Sequence, residues 1–406
     1  MTASSSAPAP DPVGQAPPPG GPRGPAHSPS LAVQLLVTTP VRILLNTAYR
    51  MVYPFLPEFS RGLGVSLETL TQLVAARNGF GLTGPLFGLV PDRFGRRLAI
   101  LSGLAIFVAA FALAALWPSF LTFVGVVFAA LIAKSLHDPA LLAHLGDQTP
   151  YERRGRVMGV SEFGWAGATF IGIPLLGVLI ARFGWSAPFA PLALAGVLAL
   201  VGLHWVIVPT RAAAHPRGTL NWALLRDPHL LAVISFGGLT SFANEMLSVV
   251  YGGWMETAFK LSVVQLGLTV TVIGAAELAG EALVAGLADR VGKRRMVLAA
   301  TALAAAAYAA LPLLSGNLWL ALGGIFFVFL GFETGIVANI PLLTELVPGA
   351  RSTVVSASGA LHSIGRMTGA LLGAWLFSVG FAWVGLAAAA VNVLVAGMVW
   401  AAVRER

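Results

Sequence analysis

The chain has no cysteine among its 406 residues. That excludes disulfides, thiolate metal sites and a cysteine nucleophile, and it leaves the redox compartment unread. Charge is also scarce. Only 10% of residues are charged while 57% are hydrophobic, against about 25% charged in a globular domain. The polar surface is too small to close one soluble core over that much apolar content. Nor does any Ser/His/Asp arrangement, phosphate-cradling glycine-rich loop or metal cluster sit in a polar domain, so no enzyme, no metal and no cofactor are expected. A nucleotide-binding domain that could power primary transport is missing too. The net charge of +8 comes without a Lys/Arg cluster interleaved with aromatics, so no nucleic-acid partner is expected. Residues 1–30 lack the charged start and short apolar core of a cleavable leader. Their Pro, Ser, Ala and Gly predict a disordered tail.

What the chain has is long apolar runs, with a mean hydropathy of +0.81. Runs of about 20 residues suffice to cross a bilayer. They recur near 34–58, 68–91, 98–117, 119–146, 156–182 and 186–208, then 229–256, 262–288, 296–315, 318–347, 353–379 and 381–402. The pattern predicts an all-α membrane protein of twelve transmembrane helices. Its parts are a Pro-rich cytoplasmic tail (1–30), a six-helix bundle (31–208), a cytoplasmic linker (209–228) and a second six-helix bundle (229–406). Arginine and lysine gather in alternate loops, leaving only Arg61, Arg182 and Lys260 in the others. The positive-inside bias therefore places both termini in the cytoplasm of a multi-pass protein, expected in the cell (inner) membrane.

Two loops carry a repeated charged string. Gly88-Leu-Val-Pro-Asp92-Arg93-Phe-Gly95-Arg96-Arg97 returns as Ala285-Gly-Leu-Ala-Asp289-Arg-Val-Gly292-Lys293-Arg294, and Asp147-Gln-Thr-Pro150-Tyr-Glu-Arg153 returns as Glu345-Leu-Val-Pro348-Gly-Ala-Arg351. A duplicated six-helix unit accounts for both, and parallel repeats around a midplane site are a transporter architecture. Gly88 would allow close helix approach, Gly95 a tight turn.

On these residues the chain resembles the major facilitator superfamily over residues 31–403, most closely the twelve-helix drug:proton antiporter type. The resemblance implies a cytoplasmic gate in which Asp92 and Asp289 take part, completed by Asp147 with Arg153 and Glu345 with Arg351. The fifth span adds Gly164, Gly167, Gly172, Pro174 and Gly177, which resembles the Gly-Pro pattern of such exporters and suits close helix packing. In two places the chain departs from that pattern: Asn46 stands in the region of a first-span acid, and Lys134 where an arginine is usual.

Charges inside the spans are few. The first half places Arg42, Arg50, Arg77 and Lys134 there with Asp138 and Glu162; the second places Glu245, Glu277, Glu281 and Glu333 with Arg366. An ionised side chain at mid-membrane costs roughly 2.5–3.5 kcal/mol on insertion scales, so each needs a partner or a wet cavity. The uneven distribution predicts a central cavity with one basic and one acidic wall. Glu277 and Glu281, four apart, share a helix face and suit a proton site. Arg77 is expected to pair across the cavity with one of them, and Arg50 to receive an anionic group or balance a glutamate. His137, His204 and His362 are expected in polar contacts, and Phe80, Trp165, Tyr251 and Trp254 are candidate pocket aromatics.

The functional expectation is a secondary transporter, monomeric, lipid-embedded and working by alternating access. The preferred reading is proton-coupled export of a small amphipathic compound. Uptake of a small anion or sugar is the alternative, and a transport-inactive receptor on the same fold is the reading from another class.

Overall fold

A computed structural model describes residues 29–149, 151–207, 228–346 and 351–403. The tail 1–28 and the linker 208–227 lie outside them. In the first half the helices are α1 (Leu31–Arg50), α2 (Val52–Leu63), α3 (Leu67–Phe80), α4 (Gly84–Phe94), α5 (Arg96–Leu116), α6 (Phe120–Gln148), α7 (Tyr151–Gly167), α8 (Ile173–Phe183) and α9 (Phe189–Val206). The second half runs α10 (Pro228–Phe259), α11 (Val263–Val291), α12 (Lys293–Leu314), α13 (Leu318–Leu346), α14 (Arg351–Val379) and α15 (Phe381–Ala402).

Among the described residues, ten helical stretches are long and apolar enough to cross a membrane on their own. The other two spans fall short for local reasons. Residues 67–94 are interrupted by a 3-10 turn at Gly81–Thr83, where Pro85 has no N–H to give the Gly81 carbonyl. Arg351–Val379 is one unbroken helix but carries Ser, Thr, His362 and Arg366 along its length. The first span breaks at Met51 for the same reason as the second, since Pro54 cannot bond the Arg50 carbonyl. The fifth span bulges into a π-helical turn, Ala168–Gly172, just before Pro174.

The duplication is visible in the backbone. Gly95 (φ 90) and Gly292 (φ 92) both adopt a left-handed conformation that side chains disfavour, and each is followed at once by the next helix. The arginines behind them repeat a second contact that the sequence does not announce. Arg97 donates to the His204 carbonyl at 2.8 Å, and Arg294 to the Trp400 carbonyl at 2.7 Å. Each guanidinium thus caps the last turn of the sixth helix of its own half, favourable for both the open carbonyl and the helix dipole.

The repeated loops and both ends of the described chain lie on one side, the arginine-rich face. The halves meet most extensively at the other end, through α3 with α14, α8 with α11 and α2 with α10. Within the second half, α10 and α14 approach through glycines: a β-carbon at Gly238 would sit 2.9 Å from the Leu361 carbonyl oxygen, and one at Gly369 would strike the Phe242 backbone. Gly369→Val is therefore expected to lower stability by about 1–3 kcal/mol through overpacking, measured as an earlier thermal unfolding transition in detergent. Glycines of the fifth span do the same against α1, where Gly164, Gly167 and Gly172 face Arg42, Ile43 and Thr47, while Gly177 faces the Val263 carbonyl of α11.

Candidate functional site: a cavity between the halves

Between the halves lies a cavity of ≈ 480 Å³. Tyr49, Arg50, Tyr53, Glu162 and Trp165 line it from the first half; Ser241, Asn244, Tyr251, Glu277, Glu281, Phe329, Phe332, Glu333, His362 and Arg366 line it from the second. The wall is thus aromatic and apolar with a small set of charges, the composition of a small-molecule site. Among the described residues no three His, Asp or Glu side chains group to hold a metal ion.

Three polar networks surround it. On the side where the halves meet, Glu245 is 1% exposed and accepts from Tyr53 Oη (2.8 Å), Asn78 Nδ2 (2.8 Å) and Arg366 Nε (2.8 Å). The Tyr53 hydroxyl also accepts from Arg366 (2.6 Å) and Arg77 (2.7 Å), so one hydroxyl joins an acid and two guanidinia from both halves. Arg77, fully buried, lies over the Tyr49 ring with 4.2 Å to its centroid and donates to the Tyr49 carbonyl and Asn78. The second network lies within the first half. Arg42 donates to Ser161 and to Glu162 (3.0 Å). Lys134 donates to Asp138 and Asn46 (2.5 Å each) and sits 3.9 Å from the Trp165 ring centroid, while His137 contacts Asp138 at 3.0 Å. The two residues that depart from the exporter pattern, Asn46 and Lys134, therefore bond each other. The third network is a two-pronged pair in which Arg50 holds both carboxylate oxygens of Glu277, the Nη1 bond at 2.9 Å.

Several expectations need correction. Arg77 does not reach α11; that pairing belongs to Arg50, because the break at Met51 lets Arg50 close the first helix facing the cavity. Nor is one wall basic. Arg42 and Arg77 are 3% and 0% exposed, Lys134 and Asp138 are held behind Trp165, and Arg50 is the first half's only cation on the cavity surface among the described residues. Glu162 is matched by Arg42, Glu277 by Arg50 and Glu245 by Arg366. Glu281 and Glu333 have no hydrogen bond or ion pair among the described residues. The cavity is consequently acidic. His362 bonds Ser241 at 2.9 Å, and His204 supplies only its carbonyl to Arg97 while its ring meets Trp205. Of the candidate aromatics Trp165 and Tyr251 line the cavity, whereas Phe80 packs against Phe87 and Phe128, and Trp254 stacks on Phe381.

On the arginine-rich face, Asp147 pairs with Arg96 rather than with Arg153, which is exposed, as are Arg93 and Asp289. A β-carbon at Gly88 would meet nothing, so that glycine serves no close approach in this arrangement. The side chains of Asp92, Glu345 and Arg351 lie outside the described residues. On the opposite face, Arg61 ties the halves by bonding both Glu58 (2.5 Å) and Glu256 of α10 (2.7 Å). That cross-half pair went unread in the sequence, where only the Glu58-x-x-Arg61 spacing within α2 was visible.

A cavity enclosed by two six-helix repeats agrees with family comparison. The model described as Major Facilitator Superfamily matches residues 39–251 and again 234–406. The chain belongs to the Major Facilitator Superfamily. Superfamily relatives include the uncharacterized MFS-type transporter YceJ of Bacillus subtilis, 26% identical over 344 residues, which are 83% of this chain and 87% of the relative. The multi-drug resistance efflux pump PmrA of Streptococcus pneumoniae is 26% identical over 361 residues, 81% of this chain and 86% of the pump. Among solved structures, a bacterial homolog of the human lysosomal transporter Spinster, in an inward-facing and unoccupied conformation, superposes with a TM-score of 0.74 at 15% identity, covering 92% of this chain and 96% of that one. The protein is a multi-pass membrane transporter of small molecules and not an enzyme.

Proposed function

We propose that the protein exports small, amphipathic, positively charged compounds from the cell in exchange for protons, as a monomer of the cell membrane. The observation that carries this reading is the pair of carboxylates, Glu281 and Glu333, on an aromatic cavity wall, neither of which has a hydrogen bond or ion pair among the described residues. A carboxylate so placed requires a positive charge or a proton. Efflux is supported by the names of pumps that share about a quarter of the sequence. Of the basic residues that favoured an anionic cargo, Arg77 and Lys134 are covered by Tyr49, Tyr53 and Trp165, and Arg50 is paired with Glu277.

In this scheme the arginine-rich face is cytoplasmic, as the positive-inside rule requires, and the cavity loads from the cytoplasm when that face is open. Closing that face brings Asp92, Arg93, Arg96, Arg97, Asp147 and Arg153 of one half toward Asp289, Glu345 and Arg351 of the other, with Gly88 and Gly95 permitting the approach. The Arg61–Glu256 pair and the Tyr53 junction open as it closes. The fifth span moves along α1 and α11 on Gly167, Gly172 and Gly177, with the π-turn before Pro174 absorbing the bend.

Proteoliposomes test the scheme. An acid-inside pH gradient is expected to drive accumulation of a fluorescent lipophilic cation, and a proton/potassium exchanging ionophore to abolish it. Accumulation under an acid-outside gradient, or indifference to the ionophore, would contradict antiport.

A further inference from the structure

Resting on that reading, we propose that the cavity is a two-charge site: it exchanges positive charge for protons one for one, so that an organic dication displaces two protons and a monocation displaces one. The inference comes from the charge inventory of the wall. Among the described residues every cation that reaches the cavity is already committed, Arg50 to both oxygens of Glu277 and Arg366 to Glu245 and the tyrosine hydroxyls. Glu162 is held by Arg42 from behind. Two carboxylates remain, on different helices: Glu281 on α11 and Glu333 on α13.

Their surroundings add negative charge. Glu281 lies in the field of Glu162 and Glu277; Glu333 lies in the field of Glu277, Glu281 and Glu162, partly relieved by Arg50. The helices are held close here, since a β-carbon at Gly280 would sit 3.0 Å from that of Glu333. In a site of low dielectric, two such groups are neutralised either by protons or by ligand charges. The loaded forms balance. With two protons bound and the site empty of substrate, the pair is neutral. A dication binding to it releases both protons to water and leaves the pair neutral again. A monocation releases one proton and leaves the other on the second carboxylate. Phe329, Phe332 and Trp165 supply apolar surface to the same cavity.

The test uses the purified full-length protein in detergent and two probes that carry no titratable proton: a bis(trimethylammonium) alkane and an alkyltrimethylammonium of the same chain length. Calorimetric titration in buffers of different ionisation enthalpy counts protons released per ligand bound, scanned over roughly pH 5 to 9. The maximal count is expected to reach about two for the dication and about one for the monocation. Glu281→Gln and Glu333→Gln should each reduce the dication count to about one. Both are isosteric and remove no hydrogen bond, and an unchanged thermal unfolding profile shows the variants are folded. Equal counts for the two probes, a dication count of two that survives either substitution, or failure of both probes to bind would overturn the proposal. Gradient-driven transport that persisted beside any of these results would leave the antiport reading standing and remove only the two-charge site.

Discussion

Glu245→Ala is expected to cost about 3–5 kcal/mol of stability, the usual penalty for stripping one partner from a buried ion pair. The carboxylate is 1% exposed and, among the described residues, is the sole acid in a junction that contains Arg366 and Arg77, the latter fully buried. Its loss leaves two guanidinia, the Asn78 amide and the Tyr53 hydroxyl without the group that balances them. The junction spans both halves at the end where they meet, so the variant should also lose the closure of that end. Thermal unfolding in detergent measures the first effect. Adding Arg366→Met to Glu245→Ala should restore part of the loss, because one of the two orphaned charges is then removed. A variant as stable as wild type would show that the junction is not holding its charges through Glu245.

Much of the fold was legible in the sequence because membrane insertion imposes length and polarity on every span. The runs near 98–117, 318–347 and 381–402 appear as Arg96–Leu116, Leu318–Leu346 and Phe381–Ala402. The duplicated string was legible too, since Gly95 and Gly292 share a backbone conformation that few other residues adopt. Partner choice was not. Arg50 and Arg77 are both intramembrane arginines, and charge alone does not tell which one turns toward Glu277. Each residue turns a helix by about 100°, and the proline breaks near Met51 and Gly81 reset that register. Counting charges also overlooked the neutral groups that dispose of them. Tyr53 and Asn78 carry no formal charge, yet they bind Arg77 and Glu245 into one unit and hold Arg77 out of the cavity. A predicted basic wall became an acidic cavity for that reason. The helix-capping roles of Arg97 and Arg294 were missed although the pair is itself a repeat, because a backbone carbonyl leaves no mark in sequence.

The second large effect concerns transport. Replacing Glu281 and Glu333 together by glutamine leaves every hydrogen bond and ion pair of the cavity in place, so the protein should fold and unfold as wild type does. It removes the two groups that have no cation of their own. Charge-assisted contacts contribute about 1.5–3 kcal/mol each, so losing even one lowers affinity for a cationic cargo about 10- to 150-fold. Losing the proton sites removes the coupling as well. The decisive measurement is accumulation of a lipophilic cation by proteoliposomes under an acid-inside pH gradient, wild type beside Glu281→Gln/Glu333→Gln at matched protein content. Accumulation by the wild type and none above protein-free liposomes by the double variant is the predicted result; a double variant that still concentrates the cation against its gradient would contradict the account.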